Sequence, residues 1–153
     1  EGVTGRFAEY DLNNIGHGAL AAKKGYYTNS FHLPVNINAD YIEKIQFEGI
    51  FHCLCNGGSI TYIELEEFPA GNTEAIKEIV EYAYNNDCNY IGVNFPLDDC
   101  QDCGYIGKIS KKCPCCKNDN IRRLRRVSGY LAEVDRFVDG KRFELIDRVA
   151  HIK

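Results

Sequence analysis

The 153-residue sequence contains no methionine. A complete gene product opens on one, so a chain that begins with Glu1 reads as a piece of a longer polypeptide, with part of any active site expected elsewhere. No uninterrupted apolar run is long enough to span a bilayer, and no secretory h-region opens the chain. An excess of positive charge is also missing. The formal net charge is −4, so the chain as a whole offers no general attraction for a polyanion. There is no internal repeat, and no composition of a disordered chain: 44% hydrophobic and 26% charged residues suit one soluble domain with a core of its own. The four histidines, His17, His32, His52 and His151, have no ligand spacing with one another or with the cysteines. They read as ordinary hydrogen-bonded histidines.

Cysteine, by contrast, is plentiful, with eight in the chain. Cys100-x2-Cys103 and Cys113-x2-Cys116 form two C-x-x-C elements separated by nine residues. Each places two sulfurs on one tight knuckle, and two facing knuckles supply the tetrahedral thiolate set that Zn²⁺ prefers. Gly104 and Pro114 suit the sharp turns required. Such spacing belongs to a metal site in a reducing cytoplasm rather than to a secreted disulfide framework. Cys115 lies inside the second knuckle and competes with its neighbours, but only the 113/116 choice keeps the two-residue spacing. A closed four-thiolate site leaves no position for water or substrate, so the expected Zn²⁺ is structural. Cys53, Cys55 and Cys88 sit in or beside apolar stretches and read as small buried hydrophobes.

The pattern along the chain is α/β. Asp11 to Lys24 reads as a helix ended by Gly25, and Tyr26 to Val35 as extended. Asp40 with Glu43 marks a helix start, with Ile42, Ile45 and Ile50 facing inward. Residues 60–65 form a strand, and Asn72 caps a helix to about Asn86 whose buried face is Ile76, Ile79, Val80, Ala83 and Tyr84. Asn89 to Phe95 is the next strand, completing a βαβ unit with a right-handed parallel crossover. Asn56-Gly-Gly-Ser59 reads as a turn. From Asp98 to Asn120 aliphatic residues are scarce, and this stretch needs an external staple. Asp139-Gly140 signals a turn, followed by a short helix with Phe143, Ile146 and Val149.

Between these, Ile121, Leu124, Val127, Leu131, Val134 and Phe137 recur roughly as on one helix face. On that reading Gly129 is a mid-helix glycine costing about 1 kcal/mol against Ala, or else it marks a turn. The residues around it carry a resemblance. Arg126-Val-Ser-Gly-Tyr-Leu131, preceded by the paired C-x-x-C elements and followed by Asp135-Arg-Phe, resembles the C-terminal signature of anaerobic (class III) ribonucleoside-triphosphate reductases. Gly140-Lys-Arg, Asp147-Arg-Val and His151 continue the likeness. So do Glu1-Gly-x-x-Gly-Arg-Phe7, Gly25-Tyr-Tyr-Thr-Asn-Ser-Phe-His-Leu-Pro-Val35 and Gly58-Ser-Ile-Thr-Tyr-Ile-Glu-Leu65, so the resemblance covers essentially the whole chain.

The resemblance implies that Gly129 carries a stable backbone radical, in a loop rather than a helix. Glycine suits this because a Cα radical must flatten to delocalise between amide nitrogen and carbonyl, and a Cβ would crowd it. It further implies a radical-SAM activating enzyme that removes the Gly129 hydrogen, and a thiyl cysteine outside this chain. That cysteine would attack the 3′ hydrogen of a ribonucleoside triphosphate, with loss of the 2′ hydroxyl as water. The implied fold is the closing part of a ten-stranded α/β barrel: residues 1–97 from the barrel, 98–120 the zinc element, and 121–153 the glycyl-radical loop and C-terminal helix. The full-length protein is expected to be a cytoplasmic homo-oligomer, and the chain alone inactive. Two other readings stand beside this one. Another glycyl-radical enzyme is disfavoured by the four-cysteine element. A zinc-ribbon nucleic-acid-binding module draws on eight Lys or Arg between Lys108 and Arg126, against a single acid, Asp119.

Overall fold

The computed structural model describes residues 2–16, 20–127 and 129–152, so His17 and Ser128 lie outside the described residues. The chain runs α1 (Val3–Asn14), a 3-10 turn (Leu20–Lys24), α2 (Tyr41–His52), β1 (Thr61–Glu64), α3 (Thr73–Asn85), β2 (Ile91–Asn94), β3 (Leu97–Cys100), β4 (Ile106–Gly107), β5 (Ile121–Arg126), β6 (Leu131–Glu133), a 3-10 turn (Val134–Arg136) and α4 (Asp139–Asp147). This is an α/β arrangement.

The central βαβ unit follows the sequence closely. β1 and β2 pair in parallel, Thr61 opposite Ile91 through Glu64 opposite Asn94, with α3 as the connection. The Asn72 side chain accepts from the Ala75 amide at 3.3 Å, capping α3. At α2 the Glu43 amide donates to Asp40 Oδ1 at 2.8 Å and the Asp40 amide to Glu43 Oε2 at 3.1 Å, a reciprocal capping box. Ile45, Ile63, Leu65, Ile79, Ala83 and Cys88 form the main core between these helices and the sheet.

A second, antiparallel sheet has the order β4-β3-β5-β6. It draws β3 and β4 from the cysteine-rich stretch and β5 and β6 from beyond it. Its own core is small: Cys100, Ile109 and Cys113, with Cys116 and Ile121 against them. Two thiols therefore stand where aliphatic side chains normally would. The polypeptide after α4 returns to the first sheet, where Ile152 bridges Leu65 in parallel and the His151 amide donates to the Glu64 carbonyl at 2.8 Å.

Several expectations are corrected. The first helix starts at Val3 and ends at Asn14 instead of spanning Asp11 to Lys24. Its Gly5 lies against Gly140, where an added Cβ would sit 3.1 Å from the Gly140 Cα, so the glycine allows backbone to meet backbone. Residues 26–35 form turns and irregular backbone without a strand. Ile50 on α2, Val80 and Tyr84 on α3, and Phe143 and Ile146 on α4 are exposed. Inside, α2 buries Lys44 and Glu48, and α4 buries Lys141 and Glu144, pairs three or four residues apart that neutralise each other. Cys53 is exposed and Cys55 half-buried; only Cys88 of the three is buried. Asp139-Gly140 opens α4 rather than turning the chain. The helix-like spacing after residue 120 belongs to β5 and β6, because Asp98 and Asp99 on β3 hold the alternating arginines of β5 in ladder register.

Candidate metal centre and the Gly129 hairpin

The two C-x-x-C elements fold alike. Cys100 and Cys113 each begin a knuckle, and the amides of Gly104 and Lys117, four residues on, donate back to their carbonyls at 2.9 and 3.0 Å. Both Gly104 and Lys117 sit in the left-handed region, at φ 74° and 66°. The Cys100 and Cys113 amides then donate to the carbonyls five residues ahead, on Tyr105 and Asn118, at 2.9 and 2.8 Å. Asp102 joins one knuckle to the other, accepting from Asn118 and Asn120 at 2.9 Å each.

This pairing gathers four sulfurs. Cys100 Sγ lies 3.5 Å from Cys116 Sγ, Cys103 Sγ lies 3.6 Å from Cys113 Sγ, and all four fall within 4.8 Å of one another. Zinc–sulfur bonds of about 2.3 Å at tetrahedral angles set sulfurs roughly 3.8 Å apart, so the donor set fits. Cys115 is exposed and stays outside the group. Four thiols this close cannot all ionise unaided. Burial works against the Cys113 thiolate, but amides of Cys116 and Cys115 and the neighbouring thiols outweigh it and bring the pKa to about 7. At Cys103 the Tyr105 amide favours the thiolate, yet burial and the three other thiols push the pKa to about 12. A divalent cation at the centre removes that conflict.

Gly129 occupies the tip of the hairpin joining β5 to β6. Arg126 faces Leu131 across the ladder, and the Val127 amide closes the turn on the Tyr130 carbonyl at 2.9 Å. Gly129 is exposed, and an added Cβ would meet nothing within 4 Å among the described residues. Among those residues, space does not require a glycine there. It lines a cavity of about 450 Å³ together with Ser59, Tyr62, Glu64, Arg126 and His151. The Asn56-Gly-Gly-Ser59 turn forms part of the same wall through Gly57, Gly58 and Ser59.

The cavity wall is charged and internally paired. Glu64 on β1 accepts from Arg126 Nη2 at 2.5 Å and from Asn94 on β2. Burial opposes its ionisation, but Arg148 and Arg126 override that and hold its carboxyl below the usual range. Glu48 accepts from the Leu33 amide, Thr61 and Lys44 at 2.9, 2.8 and 2.5 Å, and stands 3.0 Å from His32 Nδ1. Burial opposes its charge too, but His32 and Lys44 bring its pKa to about 2. His151 Nδ1 accepts the Glu64 amide at 2.9 Å, and burial first, then Lys44, pushes its pKa down to about 4. His32, His52 and His151 are thus hydrogen-bonded, as expected. Sequence reasoning did not find Glu64, Arg148, Lys141 or Glu144, because charged residues on helices and strands ordinarily face solvent. The i, i+3 and i, i+4 spacing of Lys141, Glu144 and Arg148 was the available signal.

Comparison with known proteins gives one answer. The family model for anaerobic ribonucleoside-triphosphate reductase matches residues 1–151. The anaerobic ribonucleoside-triphosphate reductase of Escherichia coli (strain K12) is 38% identical over 162 aligned positions, covering 99% of this chain and 22% of that protein. That of Enterobacteria phage T4 is 32% identical, covering 99% of this chain and 26% of its own length. The chain therefore spans about a quarter or less of these relatives. Among solved structures, an anaerobic ribonucleotide reductase superposes with a TM-score of 0.73 at 21% identity, over 98% of this chain and 23% of that one. The Thermotoga maritima enzyme does so with 0.68 at 23% identity, over 86% and 21%. No helix among the described residues is long and apolar enough to cross a membrane. With the family model matching all but the last two residues, the chain belongs to the anaerobic ribonucleoside-triphosphate reductase family.

Proposed function

We propose that this chain is the C-terminal part of the catalytic subunit of an oxygen-sensitive reductase that converts ribonucleoside triphosphates to deoxyribonucleoside triphosphates, with Gly129 as its radical residue. The observation that carries the reading is the placement of Gly129. It lines a cavity, at the tip of a hairpin, where an added Cβ would meet nothing within 4 Å among the described residues. Packing against those residues does not call for a glycine, which supports a chemical reason for one. Its Cα–H is unshielded by a side chain, and the resulting radical can flatten between its two peptide units.

In this reading a radical-SAM activating enzyme removes one hydrogen atom from Gly129 by way of S-adenosylmethionine and an external electron. In each turnover Gly129 takes a hydrogen atom from a cysteine outside this chain and later returns it. The resulting thiyl abstracts the substrate's 3′ hydrogen, the 2′ hydroxyl leaves as water, and two electrons from formate or a dithiol protein complete the reduction. Residues 1–97 would close a ten-stranded α/β barrel, 98–120 would form the zinc element, and 121–153 the radical loop and terminal helix. Cys100, Cys103, Cys113 and Cys116 would hold Zn²⁺, which there supplies a cross-link and no open coordination position. The full-length protein is taken to be a cytoplasmic homo-oligomer.

The test is an anaerobic EPR spectrum of the full-length protein after treatment with activating enzyme, S-adenosylmethionine and reductant. A doublet-type organic radical is expected, absent in Gly129→Ala, with backbone cleavage at Gly129 on admitting air. An active activating enzyme that yields no radical would overturn the assignment.

A further inference from the structure

Three largely enclosed charges, from β1, β5 and the residue after α4, meet at the root of the Gly129 hairpin. Arg126, the last residue of β5, donates from Nη2 to Glu64 Oε1 at 2.5 Å, and its guanidinium carbon lies 3.9 Å above the Tyr62 ring centroid. Arg148, just after α4, places Nε 3.8 Å from the same Glu64 oxygen. Its Nη1 donates to the backbone carbonyl of Arg126 at 3.2 Å, and its Nη2 to Glu144 Oε1 at 2.8 Å. Glu144 in turn accepts from Lys141 at 2.5 Å. Charges of alternating sign thus run from α4 to β1 and on to β5, with the Glu64 and Arg148 side chains less than 10% exposed.

Burying so many charges is costly, and apolar residues of similar volume would fill this space at least as well. What apolar residues cannot do is hold one carbonyl in one place. The Arg126 carbonyl lies three residues before Gly129, next to the Val127 amide that closes the turn. We propose that Glu64 and Arg148 are positioning residues for Gly129: they clamp the root of its hairpin to β1 so that the tip stands at a fixed point on the cavity wall. The proposal rests on the reading of Gly129 as the radical carrier. A hydrogen atom moves only between closely placed atoms, and a misplacement of about 1 Å can lower a rate on the order of a hundredfold.

The experiment uses the full-length protein with Glu64→Gln, Arg148→Ala and Arg148→Lys. Amide hydrogen exchange is measured in the peptides covering 127–131 and 73–85 before any activation. Turnover per EPR-counted Gly129 radical, with kcat and KM separated, is measured afterwards. Exchange at 127–131 is expected to rise at least tenfold in Glu64→Gln and Arg148→Ala with 73–85 unchanged. The kcat per radical is expected to fall at least tenfold with KM unchanged. Arg148→Lys, whose ammonium still reaches a carbonyl, should recover part of both. Unchanged exchange at 127–131, an equal rise over 73–85, or full turnover per radical in the variants would overturn the clamp. A wild-type protein that forms no radical would instead overturn the reading of Gly129, and with it the catalytic purpose of the clamp.

Discussion

At Gly129 and Gly49 the same residue type answers to opposite demands. A Cβ on Gly49 would lie 2.2 Å from the Asn86 carbonyl oxygen, whereas one on Gly129 would touch nothing within 4 Å among the described residues. Gly49→Ala should therefore destabilise the protein by roughly 1–3 kcal/mol through overpacking. Gly129→Ala should stay within about 1 kcal/mol of wild type while losing the radical. Denaturant midpoints of the two variants, read beside their EPR spectra, check both. His151 supports a second prediction. Its folded pKa of about 4 lies below its ordinary 6.5, so folding favours the neutral ring. Its contribution is complete above the ordinary value and is lost as pH falls from about 6.5 to about 4, on the order of 3 kcal/mol across the window. His52, lowered mainly by burial, acts in the same direction. The difference between wild type and His151→Asn, whose amide oxygen can still accept the Glu64 N–H, isolates the His151 share. Thermal unfolding followed from pH 7.5 to 4 should show the variant with the flatter profile.

Individual elements were legible in the sequence where the signal is local. The Asp40/Glu43 box and the Asn72 cap need only their own neighbours, and both appear as read. The spacing of the four cysteines likewise anticipates the knuckles, since each is built within five residues. Elements that depend on distant partners were misread. The segment read as a loop after its helix-like spacing was set aside, and β5 was missed because nothing in residues 121–126 reveals that Asp98 and Asp99 pair with their arginines. The helix α4 was read from Phe143 and Ile146, whereas what it buries is Lys141 and Glu144, with Arg148 after its end as a further partner and Gly140 against α1. The second sheet also carries a prediction. With a core cluster of only Cys100, Ile109 and Cys113 among the described residues, it gains little from apolar burial and should depend on the thiol centre. Elemental analysis is expected to find one zinc per chain. A strong chelator or Cys103→Ser should raise hydrogen exchange throughout β3–β6 while β1, α3 and β2 stay protected, and Cys115→Ser should keep the metal. Equal metal loss in the Cys115 and Cys103 variants would contradict the ligand set.

Across the whole molecule, a few charges are buried and paired while most remain at the surface. The basic stretch from Lys108 to Arg126 has the composition of a nucleic-acid surface, but its four arginines engage Asp99, Asp98 and Glu64, and Lys108 engages Glu66 and Glu67, leaving Lys111, Lys112 and Lys117 as its exposed remainder. Phosphates would have to displace carboxylates already in place. Affinity for double-stranded DNA, measured between 50 and 200 mM salt, should therefore be weak, with a log–log salt slope smaller in magnitude than about 2. A steeper slope that vanishes when these charges are removed would favour the binding-module reading. The change in composition near residue 98 was legible, whereas the antiparallel sheet that joins residues 97–107 to 121–133 and the ion network beside it were not. The return of the chain to β1 has a further consequence. An uncovered strand edge is a template on which any other extended segment can add. Ile152 bridges Leu65, just past the end of β1, on the side away from β2, with the His151 amide on the Glu64 carbonyl and the Glu66 amide on the Ile152 carbonyl. Removal of Ile152 would leave the Leu65 end of that edge without this partner and open to another extended segment.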